Sequence, residues 1–176
     1  MTAPATSIRN APSTLSQWDL DLASPQATSA LATALAGLAK AGMCVLLNGP
    51  VGAGKSYLAR ATIQALMVQN GTIEDVPSPT FTLVQCYELG ALEVWHADLY
   101  RLTNPDELIE LGLEQAFEHA LSLIEWPDRL GELTPDGAIE ITLIPDADDL
   151  DRRAAQITGP EPLMSRLKQA MEPIQK

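Results

Sequence analysis

The chain has 176 residues, 46% of them apolar, with 23 acidic against 11 basic side chains and a formal charge of −12. That length and apolar content fit one domain with a full core, and exclude a disordered chain or two comfortable domains. No apolar run reaches the roughly 18 residues of a membrane span. So acidic a chain, with its Lys and Arg unclustered, is not built to grip a nucleic-acid backbone by itself.

Residues 1–17, rich in Ala, Pro, Ser and Thr, read as a flexible N-terminal tail. They lack the basic start and apolar stretch of a signal peptide, so a cytoplasmic protein is expected. Residues 18–176 read as a single domain. Ser24-Pro25 opens a helix with a cap residue and a proline at the first helical position. Leu31, Leu35 and Leu38 share one face of it, and Gly42 is expected to end it. "MCVLL" (43–47) reads as a short buried strand, followed by a glycine loop and an amphipathic helix to about Gln69. "TFTLVQCYELGALEVWHADLY" reads as an antiparallel hairpin turning near Leu89-Gly90-Ala91.

Asn104-Pro105-Asp106-Glu107 opens a further helix, which Gly112 interrupts. "LSLIEW" (121–126) is a strand ending in polar chemistry, and "AIEITLI" (138–144) a strand exposed on one side. "PDADDLD" is a solvated acidic loop, without the spacing or glycine of a calcium loop. "RRAAQIT" reads as an edge strand, and 161–172 as a last helix. Cys44 and Cys86 read as buried free thiols, and His96 and His119 form no zinc pattern. The alternation of strands and helices predicts an α/β fold with a parallel centre and antiparallel marginal strands.

The segment "GPVGAGKS" (49–56) fits G-x-x-x-x-G-K-[ST]. Glycines allow the tight backbone wrap in which successive N–H groups face phosphate oxygens, and the following helix adds its positive end. Lys55 is placed to reach β- and γ-phosphates, and Ser56 to offer a hydroxyl to Mg²⁺. The strand before and the helix after are what such a loop requires. The nucleotide-binding set is therefore Gly49, Pro50, Val51, Gly52, Ala53, Gly54, Lys55, Ser56 and Tyr57, with ATP and Mg²⁺ as the expected ligands.

Such a site also needs carboxylates on the metal side and a group that orders water. In an open α/β sheet these belong at the carboxyl ends of the strands. Asp98 follows "LEVWHA" and can anchor Mg²⁺ directly or through water. Glu125 ends "LSLI" and is a second metal-side carboxylate or a base for water; Trp126 follows it. Thr80, in "PSPTFTL", is placed as a switch threonine reaching the γ-phosphate or Mg²⁺.

Taken together, "GPVGAGKS", "SPTFTLV", "HADLYRL", "ELGLEQAF" and "LIEWPDRL" resemble, in order and spacing, the TsaE family of bacterial P-loop ATPases of tRNA threonylcarbamoyladenosine biosynthesis. The resemblance covers about residues 20–157. It implies a P-loop NTPase-like mixed sheet, slow partner-dependent ATP hydrolysis, and association with a TsaD–TsaB pair whose TsaD performs the threonylcarbamoyl transfer. With a charge of −12 the chain is itself expected to be repelled by tRNA, and so to meet it only through that complex. The resemblance makes Lys55 and Ser56 the phosphate and Mg²⁺ residues, Thr80 switch-like, Asp98 the Walker-B-like carboxylate, and Glu125 and Trp126 the pair beside the nucleotide. The chain departs from the pattern in Ser56 for threonine, "NGPVG" for "GDLG", and Ala97 for a larger residue.

The competing reading is a P-loop small-molecule kinase with Asp98 as base for a substrate hydroxyl. It lacks the arginine-rich lid such kinases close over the phosphates, since Arg152-Arg153 is the only basic pair. A third reading is a nucleotide-dependent switch whose hydrolysis is incidental.

Overall fold

The computed structural model describes residues 14–104 and 106–172. In chain order the elements are β1 (Leu15–Leu22), α1 (Pro25–Leu38), β2 (Cys44–Asn48), α2 (Lys55–Gln69), β3 (Val84–Leu89) and β4 (Leu92–Asp98), then α3 (Asp106–Glu110), α4 (Leu113–His119), β5 (Leu121–Glu125), β6 (Ile139–Pro145), β7 (Arg153–Pro160) and α5 (Glu161–Met171). The seven strands form one sheet in the order β1-β7-β6-β2-β5-β4-β3. Strands β6, β2, β5 and β4 run parallel; β7 and β1 on one side, and β3 on the other, are antiparallel to their neighbours.

The run "CVLL" is buried throughout because helices cover both faces of its strand. Its side chains alternate between two cores. Val45 and Leu47 pack with Leu31 and Leu35 of α1, Leu58 and Ile63 of α2, and Leu167 of α5. Cys44 and Leu46 pack with Leu108 of α3 and Leu113 of α4. Leu58 has no exposed surface, and burial of such a side chain contributes about 1.5–3 kcal/mol. Among the described residues, no helix is long and apolar enough to cross a membrane.

Ser24 caps α1 as its sequence requires, its Oγ accepting the Ala27 N–H over 3.2 Å with Pro25 at the start. The helix ends at Leu38 rather than at Gly42. Gly42 instead takes φ +76° in the turn into β2, and its N–H donates to the Ala120 carbonyl.

Strand β1 was not expected. It begins at Leu15, inside the segment read as tail, and residues 1–13 lie outside the described residues. Because β1 pairs with β7 along its whole length, β7 is an interior strand and not the edge. The first strand of the hairpin begins at Val84, not Thr80. Residues Pro79–Leu83 make a turn, closed by the Leu83 N–H on the Pro79 carbonyl with Leu83 at φ +66°. Cys86 lies on the edge strand β3 and is exposed, which corrects the expectation of two buried thiols; Cys44 is buried and both are free. The helix start read at Pro105 falls on a residue outside the described set; Gly112, at φ +73°, does separate α3 from α4.

The chain leaves β2, passes through α2 to the β4–β5 side, and later returns to β6 on the opposite side. The carboxyl end of β2 is thus a switch point, the place where open sheets of this kind form a ligand crevice.

Candidate functional site

The glycine loop joins β2 to α2 at that switch point. Gly49, Gly52 and Gly54 have φ of +135°, +79° and +101°, values that side-chain-bearing residues resist. At Gly49 a Cβ would also run into the Leu143 carbonyl of β6, so the glycine lets the loop pass close over the sheet. The loop delivers Lys55 and Ser56 into the first turn of α2, where the helix dipole is positive; the turn itself holds no acidic residue, and the carboxylates that face it, Glu125 and Asp98, come from β5 and β4.

Val51, Gly52, Gly54, Lys55, Ser56, Tyr57, Thr80, Asp98, Tyr100, Glu125 and Trp126 line one cleft of about 370 Å³. The structure therefore brings together nearly all the residues singled out in the sequence. Gly49, Pro50 and Ala53 belong to the loop but not to the cleft wall; Ala53 is buried, its N–H donating to the Pro50 carbonyl.

Lys55 is only 5% exposed. Its Nζ donates to the Gly49 and Pro50 carbonyls, each over 2.8 Å, and stands 3.9 Å from the centre of the Trp126 ring. Burial holds its pKa below the usual lysine range, while the charges of Glu125 and Asp98 pull it back up. Trp126 itself has φ +59°, an unusual conformation for so large a residue, and its ring meets Tyr100 with centroids 4.8 Å apart.

Asp98 and Glu125 end adjacent parallel strands and are register partners. Each is fixed differently. Thr80 Oγ1 donates to Asp98 Oδ2 over 3.0 Å, Ser78 Oγ lies 2.8 Å from Thr80 Oγ1, and the Tyr100 N–H donates to Asp98 Oδ1. Ser56 Oγ donates to Glu125 Oε2 over 2.8 Å, and His96 Nε2 lies 2.8 Å from Glu125 Oε1. His96 is fully buried, and its Nδ1 has no partner.

His96, Ser78 and Tyr100 were not expected in the site. The signal for His96 was the two-residue alternation of β4, which puts it on the same sheet face as Asp98.

The side chains gathered around the metal side of the cleft, the hydroxyls of Ser56 and Thr80 and the carboxylates of Asp98 and Glu125, all offer oxygen. That set suits a hard cation which keeps water and phosphate oxygens in its shell, as Mg²⁺ does, and not zinc. Among the described residues no group of three or more His, Cys, Asp or Glu forms a ready-made metal cage, so a cation here needs oxygens from a bound phosphate as well.

A mixed sheet with a glycine loop at its switch point, two carboxylates at neighbouring strand ends and helices on both faces defines an α/β domain of the P-loop NTPase-like class. The family model "Threonylcarbamoyl adenosine biosynthesis protein TsaE" matches residues 22–154. The chain belongs to the TsaE family. It is 40% identical to the tRNA threonylcarbamoyladenosine biosynthesis protein TsaE of Rickettsia bellii over 138 residues, 78% of this chain and 92% of that one. With the Bacillus subtilis protein of the same name it shares 34% identity over 126 residues, 71% and 76% of the two chains. Among solved structures, Bacillus subtilis YdiB superposes with a TM-score of 0.71 at 25% identity, over 93% of this chain and 99% of that one.

Proposed function

We propose that this protein binds and slowly hydrolyses Mg²⁺-ATP in the cytoplasm, and through that cycle supports tRNA threonylcarbamoyladenosine formation in a complex with TsaD and TsaB. One observation carries the nucleotide reading: Lys55, the Ser56–Glu125 pair and the Thr80–Asp98 pair converge on one cleft at the switch point of the sheet. The biosynthetic role rests on family membership and on the TsaE relatives named above.

Each residue then has a task. Lys55 exchanges the Gly49 and Pro50 carbonyls for phosphate oxygens. Ser56, Asp98 and Glu125 would hold the metal, which when bound would neutralise phosphate charge. Thr80, now on Asp98, turns toward the terminal phosphate, and a carboxylate orders the attacking water. Trp126 and Tyr100 wall the cleft against bulk water.

The charge of −12 repels tRNA, itself a dense polyanion. The chain therefore meets tRNA only through its protein partners. Sedimentation with TsaD–TsaB in ATP, in ADP and without nucleotide tests this. A nucleotide-dependent complex that weakens with Lys55→Ala and responds to added tRNA is expected. Nucleotide-independent, tight binding of free tRNA with no association to TsaD–TsaB would overturn the reading.

A further inference from the structure

Arg153, the first residue of β7, leans onto the glycine loop. Its Nη1 donates to the Ala53 carbonyl over 3.4 Å, and its Nη2 to the Leu150 and Asp151 carbonyls over 3.1 and 3.4 Å. The guanidinium fills the space a Cβ on Gly54 would need. Arg153 thereby ties the acidic loop before β7 to the loop after β2.

Those contacts leave the cation unsatisfied. Asp146, Asp148, Asp149 and Asp151 all lie just before it in sequence, yet among the described residues no carboxylate pairs with Arg153. Asp146 and Asp149 accept neighbouring backbone N–H groups instead, and Asp21 is taken by Arg152 over 2.9 Å. Arg153 Nε is buried with no partner at all. A half-buried guanidinium held by one ordinary and two long contacts to neutral carbonyls is an incomplete arrangement, because guanidinium bonds strongly to anionic oxygens. Arg153 does not line the cleft, but it lies against Ala53 and Gly54 of the loop on which an anion would be seated, where the start of α2 favours negative charge.

We propose that Arg153 is a second cation of the nucleotide site, fixing the Ala53–Gly54 segment and supplying positive charge to the polyphosphate of a nucleoside triphosphate from the β7 side. The inference rests on the nucleotide reading above. Lys55 serves the same chain of phosphates from the side of Trp126, and the two cations come from opposite directions across the sheet.

The test is calorimetric binding of ATP and ADP to the full chain, Arg153→Gln and Arg153→Lys, at low and high salt, with thermal unfolding recorded for each. Arg153→Gln should raise the ATP dissociation constant by about tenfold, the scale of one charge-assisted contact, and should flatten its salt dependence. Arg153→Lys keeps the charge but loses the fork of donors, and should fall between Arg153→Gln and the unaltered chain. Unchanged ATP binding in Arg153→Gln would overturn the inference. So would equal weakening in both variants with a shared loss of thermal stability, which would make Arg153 a backbone clasp alone. Failure of the unaltered chain to bind ATP would overturn the nucleotide reading and this inference with it.

Discussion

The Ser56 hydroxyl donates to Glu125 across 2.8 Å and 69 residues of sequence, joining the first turn of α2 to the last residue of β5. Glu125 is 2% exposed, so this carboxylate is aimed rather than solvated. Asp98 beside it is held just as firmly by Thr80 and by the Tyr100 N–H. Glu125→Ala and Asp98→Ala should each slow ATP hydrolysis by about tenfold or more, the loss expected for one positioned catalytic or metal-side group. Their ATP affinity should fall less than that of Lys55→Ala. Single-turnover hydrolysis beside equilibrium binding checks both, and full activity in the two carboxylate variants would return these residues to structural roles.

The other oxygen of Glu125 faces His96, which has no exposed surface. His96→Leu leaves that buried carboxylate oxygen without its partner and should destabilise the fold by about 3 kcal/mol or more. His96→Gln keeps an N–H donor and should recover part of the loss. Urea unfolding of the three chains measures this; equal stability of His96→Leu and the unaltered chain would show that Glu125 does not depend on the contact.

Lys55 lies over the Trp126 ring, so a ligand that draws its Nζ toward phosphate changes the ring's surroundings. Tryptophan emission should change when ATP is added, and Trp126→Phe should abolish most of that change although Trp18 and Trp95 remain. Retention of the whole signal in the variant would place the nucleotide elsewhere.

The two thiols should behave oppositely. Burial pushes the Cys44 thiol up to about 12, so it stays protonated near neutral pH. Cys86 is also raised, by burial and by the Glu93 charge, but it is exposed. A thiol reagent at pH 8 should label Cys86 alone in the folded chain and both cysteines in denaturant. The Cys44 shift also has a stability consequence. Its folded pKa is above the unfolded value of 9.0, so the folded state holds the proton more tightly. That contribution is complete below about pH 9 and is lost as pH rises toward 12. Unfolding midpoints taken from pH 8 upward, compared with Cys44→Ala, isolate it.

The site was legible where local chemistry writes it into adjacent residues. The glycine loop sits in eight consecutive positions, and "CVLL" and "LSLI" announce strands covered on both faces. Asp98 and Glu125 could be placed because strand ends carry ligand chemistry in such sheets. What escaped depends on long-range pairing. "WDLDL" alternates as a strand does and was there to be read, yet its partner β7 lies at the other end of the chain. The neighbourhood of Arg153 was invisible for the same reason, since no spacing in "DRRAAQ" reveals that the glycine loop lies against it. His96 forms no metal pattern with His119 in the sequence, and its actual partner, Glu125, arrives from another strand.

Strand β1 gives the molecule a problem of timing during synthesis. Its Leu20 and Leu22 are buried in the finished core with residues of α1 and α5, its strand partner is β7, and Asp21 and Arg152 are 131 residues apart. On the ribosome the first strand must emerge and wait, apolar face uncovered, until almost the whole protein has followed it. Such distant pairing slows closure and leaves the nascent chain open to association with others. Arg153 opens the same strand that receives β1, so this arginine reaches the loop only once that distant part of the chain has been made. A chain cut short before β7 would hold the glycine motif intact and lack the arginine that leans on it.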